Sequence, residues 1–285
     1  MATVGDPSPR VRSWVLVDGG LVDPGDPLVA ANDRGLLSGD GVYTTMGVFG
    51  GVPFAISRHR RRLRESLAHL GLDAAEVPWD RLAGLPREFG VADGRLRITV
   101  TAGPGAPADP VTRPTVFATL TEVDRSTPTP AMAVVTGGHP RDPERFDAGH
   151  KTIAGAGNTR AVLAWARRRG ATEYLYPTPD GGLSEGTTTN LVVVTNGEVA
   201  TPDLRTGCLP GITRRLLLEA GLVVETDHLD PDHACEADEV ILTSSVRGVI
   251  PVASVDGHPM PGRDGPVWRR LHAFLADLQA TNPDP

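Results

Sequence analysis

Lysine is what this chain most lacks. Its 285 residues hold 28 Lys+Arg, of which 27 are arginine and one is Lys151. Cysteine is nearly as scarce. Cys208 and Cys235 are too few for a disulfide scaffold, which points to a reducing cytoplasm. No apolar run is long enough to span a bilayer, and Met1–Pro9 has no apolar core of a signal peptide. A formal net charge of -7 gives no reason to expect nucleic acid or an anionic membrane as partner. An anionic small molecule would need arginines gathered locally. No metal is expected: His233-Ala234-Cys235-Glu236 lacks a second ligand pair at zinc spacing and reads as a solvated helix. Gly155-Ala156-Gly157 lacks both the full G-x-G-x-x-G and a strand just before it, so it is no dinucleotide fingerprint.

What is present is ordinary for a soluble globular protein: 40% hydrophobic and 22% charged residues. Gly 33 and Pro 26 are scattered between apolar runs, which reads as loop-rich. Residues 1–10 read as a loose tail. Trp14–Val17 and Leu21-Val22 around Asp18-Gly19-Gly20 read as a strand and turn, and Asn32–Gly41 as a polar, glycine-rich loop. Val42–Phe49 and Val52–Ile56 flank Gly50-Gly51, a hairpin signal. Ser57 is a plausible N-cap for a helix with Leu63, Leu67 and Leu70 on one face, ending at Gly71. Trp79–Phe89 reads as a weaker helix interrupted by Pro86. Strands are expected at Arg95–Thr101, Thr115–Leu120, Met132–Thr136, Tyr174–Tyr176, Asn190–Thr195, Val223–Thr226, Val240–Thr243 and Ile250–Val255. Helices are expected at Asn158–Arg169, Ile212–Ala220 and Val267–Leu278. Glu122–Pro130 has two prolines and no apolar periodicity. The expected architecture is therefore α+β (mixed α/β) in two parts. Residues 11–122 form a small N-terminal domain, 123–130 a linker and 131–280 a larger C-terminal domain.

The lone lysine suggests chemistry that arginine cannot perform. Arginine stays protonated, whereas a lysine of depressed pKa offers a neutral amine as nucleophile or base. A Schiff base with a carbonyl, as in pyridoxal phosphate enzymes, requires this most clearly. A solvated lysine that survived by chance is the other reading, and the count does not choose between them. Leu209-Pro210-Gly211-Ile212-Thr213-Arg214 opens a predicted helix, whose free N–H groups and dipole suit a phosphate. Glu185, in a run of small hydroxyl residues before a strand, could keep a pyridine nitrogen protonated, or be a turn carboxylate held by its neighbours. In the cluster Arg58–Arg64, helical spacing puts Arg58 and Arg62 on one face, where one could clamp a phosphate. Thr243-Ser244-Ser245 could add further donors.

These pieces, in this order, resemble the class IV aminotransferase family. It comprises pyridoxal phosphate enzymes such as branched-chain aminotransferases, D-amino acid aminotransferases and aminodeoxychorismate lyases. The resemblance runs from about Trp14 to Val255. Asp33-Arg34-Gly35 with Gly39-Asp40-Gly41-Val42-Tyr43 looks like its opening motif. His59-x-x-Arg62-Leu63-x-x-Ser66 is similar to its phosphate-arginine helix and singles out Arg62. The resemblance implies Lys151 as the Schiff-base lysine and Glu185 as the acid at the pyridine nitrogen. It implies Ile212 and Thr213 as amide donors to the phosphate, Leu209 against the ring and Ser245 as a further phosphate contact. It also implies a homodimer, with each site between a small and a larger domain.

Within the family, Lys151-Thr152 with Asn158, Tyr43-Thr44-Thr45 and Ser244-Ser245-Val246-Arg247 look like bacterial aminodeoxychorismate lyases. Branched-chain enzymes usually have Gly-Thr-Ala-Ala at that last stretch. D-amino acid enzymes carry a tyrosine at the position of Leu36 and an Arg-x-His trap, which the loop Gly103–Asp109 lacks. The expected activity is release of pyruvate from 4-amino-4-deoxychorismate, leaving 4-aminobenzoate. The alternative is transamination of a small amino acid, branched-chain or D-, or of an amine. Candidates for the substrate carboxylates are Arg97, Arg113, Arg160 and Arg247.

Overall fold

The computed structural model describes residues 13–17, 20–23, 29–72, 75–111 and 113–285. The tail expected over 1–10, the start of the N-terminal domain at 11 and the turn at Asp18-Gly19 lie outside the described residues. The first half builds one antiparallel sheet: β1 (Ser13–Val17), β2 (Gly20–Val22), β3 (Gly41–Phe49), β4 (Val52–Pro53), β5 (Gly94–Thr101) and β6 (Thr115–Glu122), in the order β2-β1-β6-β5-β3-β4. Its helices are α1 (Arg34–Ser38), α2 (Ile56–His69) and α3 (Trp79–Glu88). Strand alternation divides the residues by face. Val42, Met46 and Val48 of β3 and Leu96, Ile98 and Val100 of β5 pack with Leu63, Leu67, Leu82 and Leu85 in one core. Tyr43, Thr45, Arg95 and Arg97 are on the opposite parity, and that face becomes a wall of the site.

The structure corrects four local expectations. Asn32–Gly41 contains the short helix α1, capped by the Asp33 carboxylate and closed by Gly39 at φ 74°. The second arm of the Gly50-Gly51 hairpin stops at Pro53, and α2 starts at Ile56. Ser57 is not its N-cap: Ala55 is, in a left-handed conformation (φ 55°, ψ 39°). Finally, α3 runs through Pro86. Pro86 lies near the helix end, where the loss of one N–H is offset by burying Leu82, Leu85 and Pro86 together.

The second sheet has nine strands: β7 (Met132–Thr136), β8 (Glu173–Pro177), β9 (Leu183–Gly186), β10 (Asn190–Thr195), β11 (Glu198–Pro202), β12 (Val224–Thr226), β13 (Glu239–Ser244), β14 (Gly248–Val255) and β15 (His258–Pro259). Its helices are α4 (Thr159–Arg167), α5 (Ile212–Glu219), α6 (Pro231–Cys235) and α7 (Pro266–Thr281). The order is β12-β11-β10-β13-β14-β7-β8-β9, and β9 also pairs with β10. Six strands thus close on themselves. Leu191, Val193, Val240, Leu242, Ile250 and Val252 pack together on one face. Val192, Val194, Ile241 and Val249 meet α5 and α7 on the other. Burial on both faces explains why Leu191–Val194 is an unbroken apolar run. No helix among the described residues is long and apolar enough to cross a membrane.

Candidate active site

A cavity of about 580 Å³ lies where the polar face of the first sheet meets the strand ends of the second. Six of its lining side chains are arginines (Arg62, Arg95, Arg97, Arg141, Arg167 and Arg247) and one is Lys151, against the carboxylates Glu173 and Glu185. In a chain of net charge -7 this local excess marks the cavity for anions.

Lys151 lines the cavity because its backbone is paired with the strand that forms one wall. Tyr43 N–H donates to Lys151 O (2.9 Å) and Ile153 N–H to Gly41 O (2.8 Å), so the lysine segment lies along the start of β3. The amine sits 4.6 Å from the centre of the Tyr43 ring, and Arg97 covers the same ring at 3.7 Å. Burial draws the amine down from 10.5 to about 7. Arg62, Arg97 and Arg141 add to that fall, and Glu185 opposes it. The lysine is thus half neutral near pH 7.

Arg62 projects from α2 toward the loop before α5. Its guanidinium donates to Pro210 O (3.3 Å) and to Thr44 Oγ1 (3.2 Å). Thr44 Oγ1 is also 2.7 Å from His59 Nδ1, and burial beside Arg62 and Lys151 keeps His59 neutral. Arg62 Nε is buried with no partner, as is Thr243 Oγ1 nearby in the lining. Ile212 and Thr213 open α5 at the same place, with the unsatisfied amides of a helix start.

Glu185 and Asn190 face each other as register partners of β9 and β10. Glu185 accepts from Leu209 N–H (2.9 Å) and Asn190 Nδ2 (3.3 Å), and pairs with Arg141 Nη2 at 3.0 Å. Burial raises its pKa, while Arg141, the Leu209 amide and Lys151 act against that rise. Asn190 Nδ2 also donates to Leu209 O (2.8 Å). Leu209 is therefore gripped at both its N–H and its C=O. A Cβ at Gly211 would overlap Asn190 Oδ1, so the turn into α5 closes tightly on this amide.

The structure brings Lys151, Arg62, Glu185, Leu209, Ile212, Thr213, Ser245, Arg97 and Arg247 to one cavity. It does not bring Arg113 or Arg160 there; both are exposed and outside the lining. Arg113 is on the short connection before β6 and Arg160 in the first turn of α4. Arg247 is braced by Thr188 Oγ1 (3.0 Å) and lies 3.9 Å from buried Glu173. The sequence reading missed Arg141, Asn190, Arg95 and Arg167. Nothing local sets Arg141 apart among 27 arginines. Asn190 could have been noticed, because an amide opening a buried strand needs a partner. No cluster of three or more His, Cys, Asp or Glu among the described residues could hold a metal.

The six-strand closure, the lone lysine of lowered pKa and the open helix start beside Arg62 fit a cofactor-dependent enzyme. The family model for amino-transferase class IV matches residues 41–255, and the chain belongs to this family. It is 28% identical to the D-alanine aminotransferase of Bacillus licheniformis over 92% of this chain and 95% of that protein. It is 26% identical to the aminodeoxychorismate lyase of Bacillus subtilis over 85% of this chain and 86% of that one. The structure of a hypothetical aminotransferase from Mycobacterium tuberculosis, in its pyridoxal phosphate-bound form, matches at TM-score 0.80 and 25% identity, covering 95% of this chain and 99% of that one. The family depends on pyridoxal phosphate. The site fits it: an unpartnered buried guanidinium nitrogen, a helix start and an amine of lowered pKa line one cavity.

Proposed function

We propose that the enzyme is a lyase that releases pyruvate from 4-amino-4-deoxychorismate and leaves 4-aminobenzoate. The carrying observation is the arginine excess beyond what the cofactor needs. Arg62 reaches Pro210 O ahead of α5, where it is assigned to the phosphate, and Arg141 is paired with Glu185. Arg95 and Arg97 on β5, and Arg247 between β13 and β14, remain on two different sheets around the same cavity. That spacing suits a substrate with two separated carboxylates, whereas a simple amino acid brings one. The loop Gly103–Asp109 is held by buried Arg34, through Ala102 O, Ala106 O and Asp109 O, and is outside the lining. Leu36, on α1, is 63% exposed. With Leu37 it forms an apolar pair that supports a homodimer.

In this reading Arg62, the first turn of α5 and Ser245 hold the cofactor's phosphate, and Leu209 packs against its ring. Glu185 holds a proton at the ring nitrogen, its own charge sustained by Arg141 and the Leu209 amide. When bound, pyridoxal phosphate supplies an electron sink for the amine-bearing carbon of the substrate. Lys151 Nζ takes the proton from that carbon. The C–O bond to the enolpyruvyl group breaks as the ring becomes aromatic. Lys151 then returns its proton to the departing enolpyruvyl carbon, which completes pyruvate. Arg97 and Arg247 hold the carboxylates throughout.

The second reading is a transaminase for a small amino acid, branched-chain or D-, or for an amine. The identity to D-alanine aminotransferase favours it. The deciding experiment gives the enzyme aminodeoxychorismate with no keto acid. Equal amounts of pyruvate and 4-aminobenzoate are expected. Rapid transamination of branched-chain or D-amino acids in a separate incubation with a keto acid, with no pyruvate released from aminodeoxychorismate, would establish the second reading.

A further inference from the structure

The helix that carries Arg62 has no cap of its own. No side chain of its N-cap residue, Ala55, bonds to α2. Its first donors are met from 227 residues further along the chain. Ser57 N–H and Oγ donate to the two oxygens of Asp284, at 2.9 and 2.5 Å. Arg58 Nε donates to Pro285 O (2.6 Å), and Ala55 N–H to Pro283 O (2.7 Å). The corner Phe54-Ala55 is buried among Leu216 and Leu217 of α5 and Leu271 and Leu275 of α7. The rest of the Arg58 guanidinium forms two bonds with Glu219, the last residue of α5. One turn further along α2, Arg62 reaches Pro210, ahead of the start of α5. The first two turns of α2 therefore run opposite in direction to α5, with Arg58 at its end and Arg62 ahead of its start.

We propose that Asp284 is a positioning residue for the cofactor: capping α2 from the segment after α7, it sets the helix's axial position and so holds Arg62 at the phosphate. This rests on Arg62 being the phosphate arginine. A carboxylate at a helix start bonds its free amides and complements its dipole. Arg62 makes only long bonds within the protein, at 3.2 and 3.3 Å, and its Nε makes none. The place of its guanidinium therefore depends on where α2 sits. If the first turn frays, the Arg58–Glu219 pair and the register with α5 loosen together.

The test titrates apoprotein with pyridoxal phosphate and with pyridoxal, the same ring without phosphate, following the near-visible absorbance. Asp284→Ala should weaken the phosphorylated ligand about five-fold, the equivalent of about 1 kcal/mol for a lost cap, and leave pyridoxal unchanged. Asp284→Asn, which keeps a capping oxygen, should recover most of that loss. Equal weakening of both ligands would reduce Asp284 to general stability, and no change would dismiss the strap; either outcome overturns the proposal. Arg62→Ala is measured alongside. If it fails to discriminate between the ligands, the phosphate assignment itself is wrong and the proposal falls with it. If Arg62→Ala discriminates and Asp284→Ala does not, the strap alone is wrong.

Discussion

The ionisation of Lys151 can be tested without any substrate. Burial and three guanidiniums bring its amine from 10.5 to about 7. At pH 7 an ordinary lysine is neutral in about one molecule in 3000, and this one in about half. As the sole side-chain amine, Lys151 can be followed by peptide mapping without interference. Apoprotein treated with an amine-selective acylating reagent from pH 5 to 10 should label Lys151 at a rate that levels off above about pH 8. Arg97→Gln should move the midpoint up, because it removes a cation. Glu185→Gln should move it down, because it removes the one opposing charge. The same shift acts on stability. Between about pH 7 and 10.5 the unfolded chain binds a proton at this site that the folded chain does not, so this contribution to apoprotein stability rises with pH across that window. A labelling rate still climbing through pH 9 to 10 would refute the argument that burial and the arginines dominate.

Three further perturbations probe the parts of the site. Arg62→Ala should weaken cofactor retention about ten- to a hundred-fold, the equivalent of a charge-assisted contact of about 1.5–3 kcal/mol. Glu185→Gln should lower turnover more than affinity; cofactor titration and single-turnover rates compare the two. Gly211→Ala pushes a methyl group into Asn190 Oδ1 and should disturb Asn190, Leu209 and Glu185 together. A loss of about 1–3 kcal/mol in denaturant unfolding, with weaker cofactor binding, is expected. A Gly211→Ala protein of parental stability and affinity would show that the clamp on Leu209 does not constrain the site.

Some of this protein is determined by the sequence alone. Strand and helix periods are local, so the apolar alternation of β3 and β5 already separates core from cavity wall. The uniqueness of Lys151 is compositional, and the helix start at Gly211-Ile212 is a matter of neighbouring residues. What fails in the sequence is whatever depends on distant partners. Ser57 looks like a cap, yet its partner is Asp284 and the cap residue is a left-handed Ala55, held there by packing against α5 and α7. Arg113 and Arg160 are indistinguishable by type from Arg141 and Arg167. Only the closure of β9 onto β10, and the pairing of the lysine segment with β3, decides which guanidiniums face the cavity. The shifted pKa of Lys151 has the same origin. It comes from burial and from charges 10 to 89 positions away in the chain, which are brought within reach only when the two sheets meet.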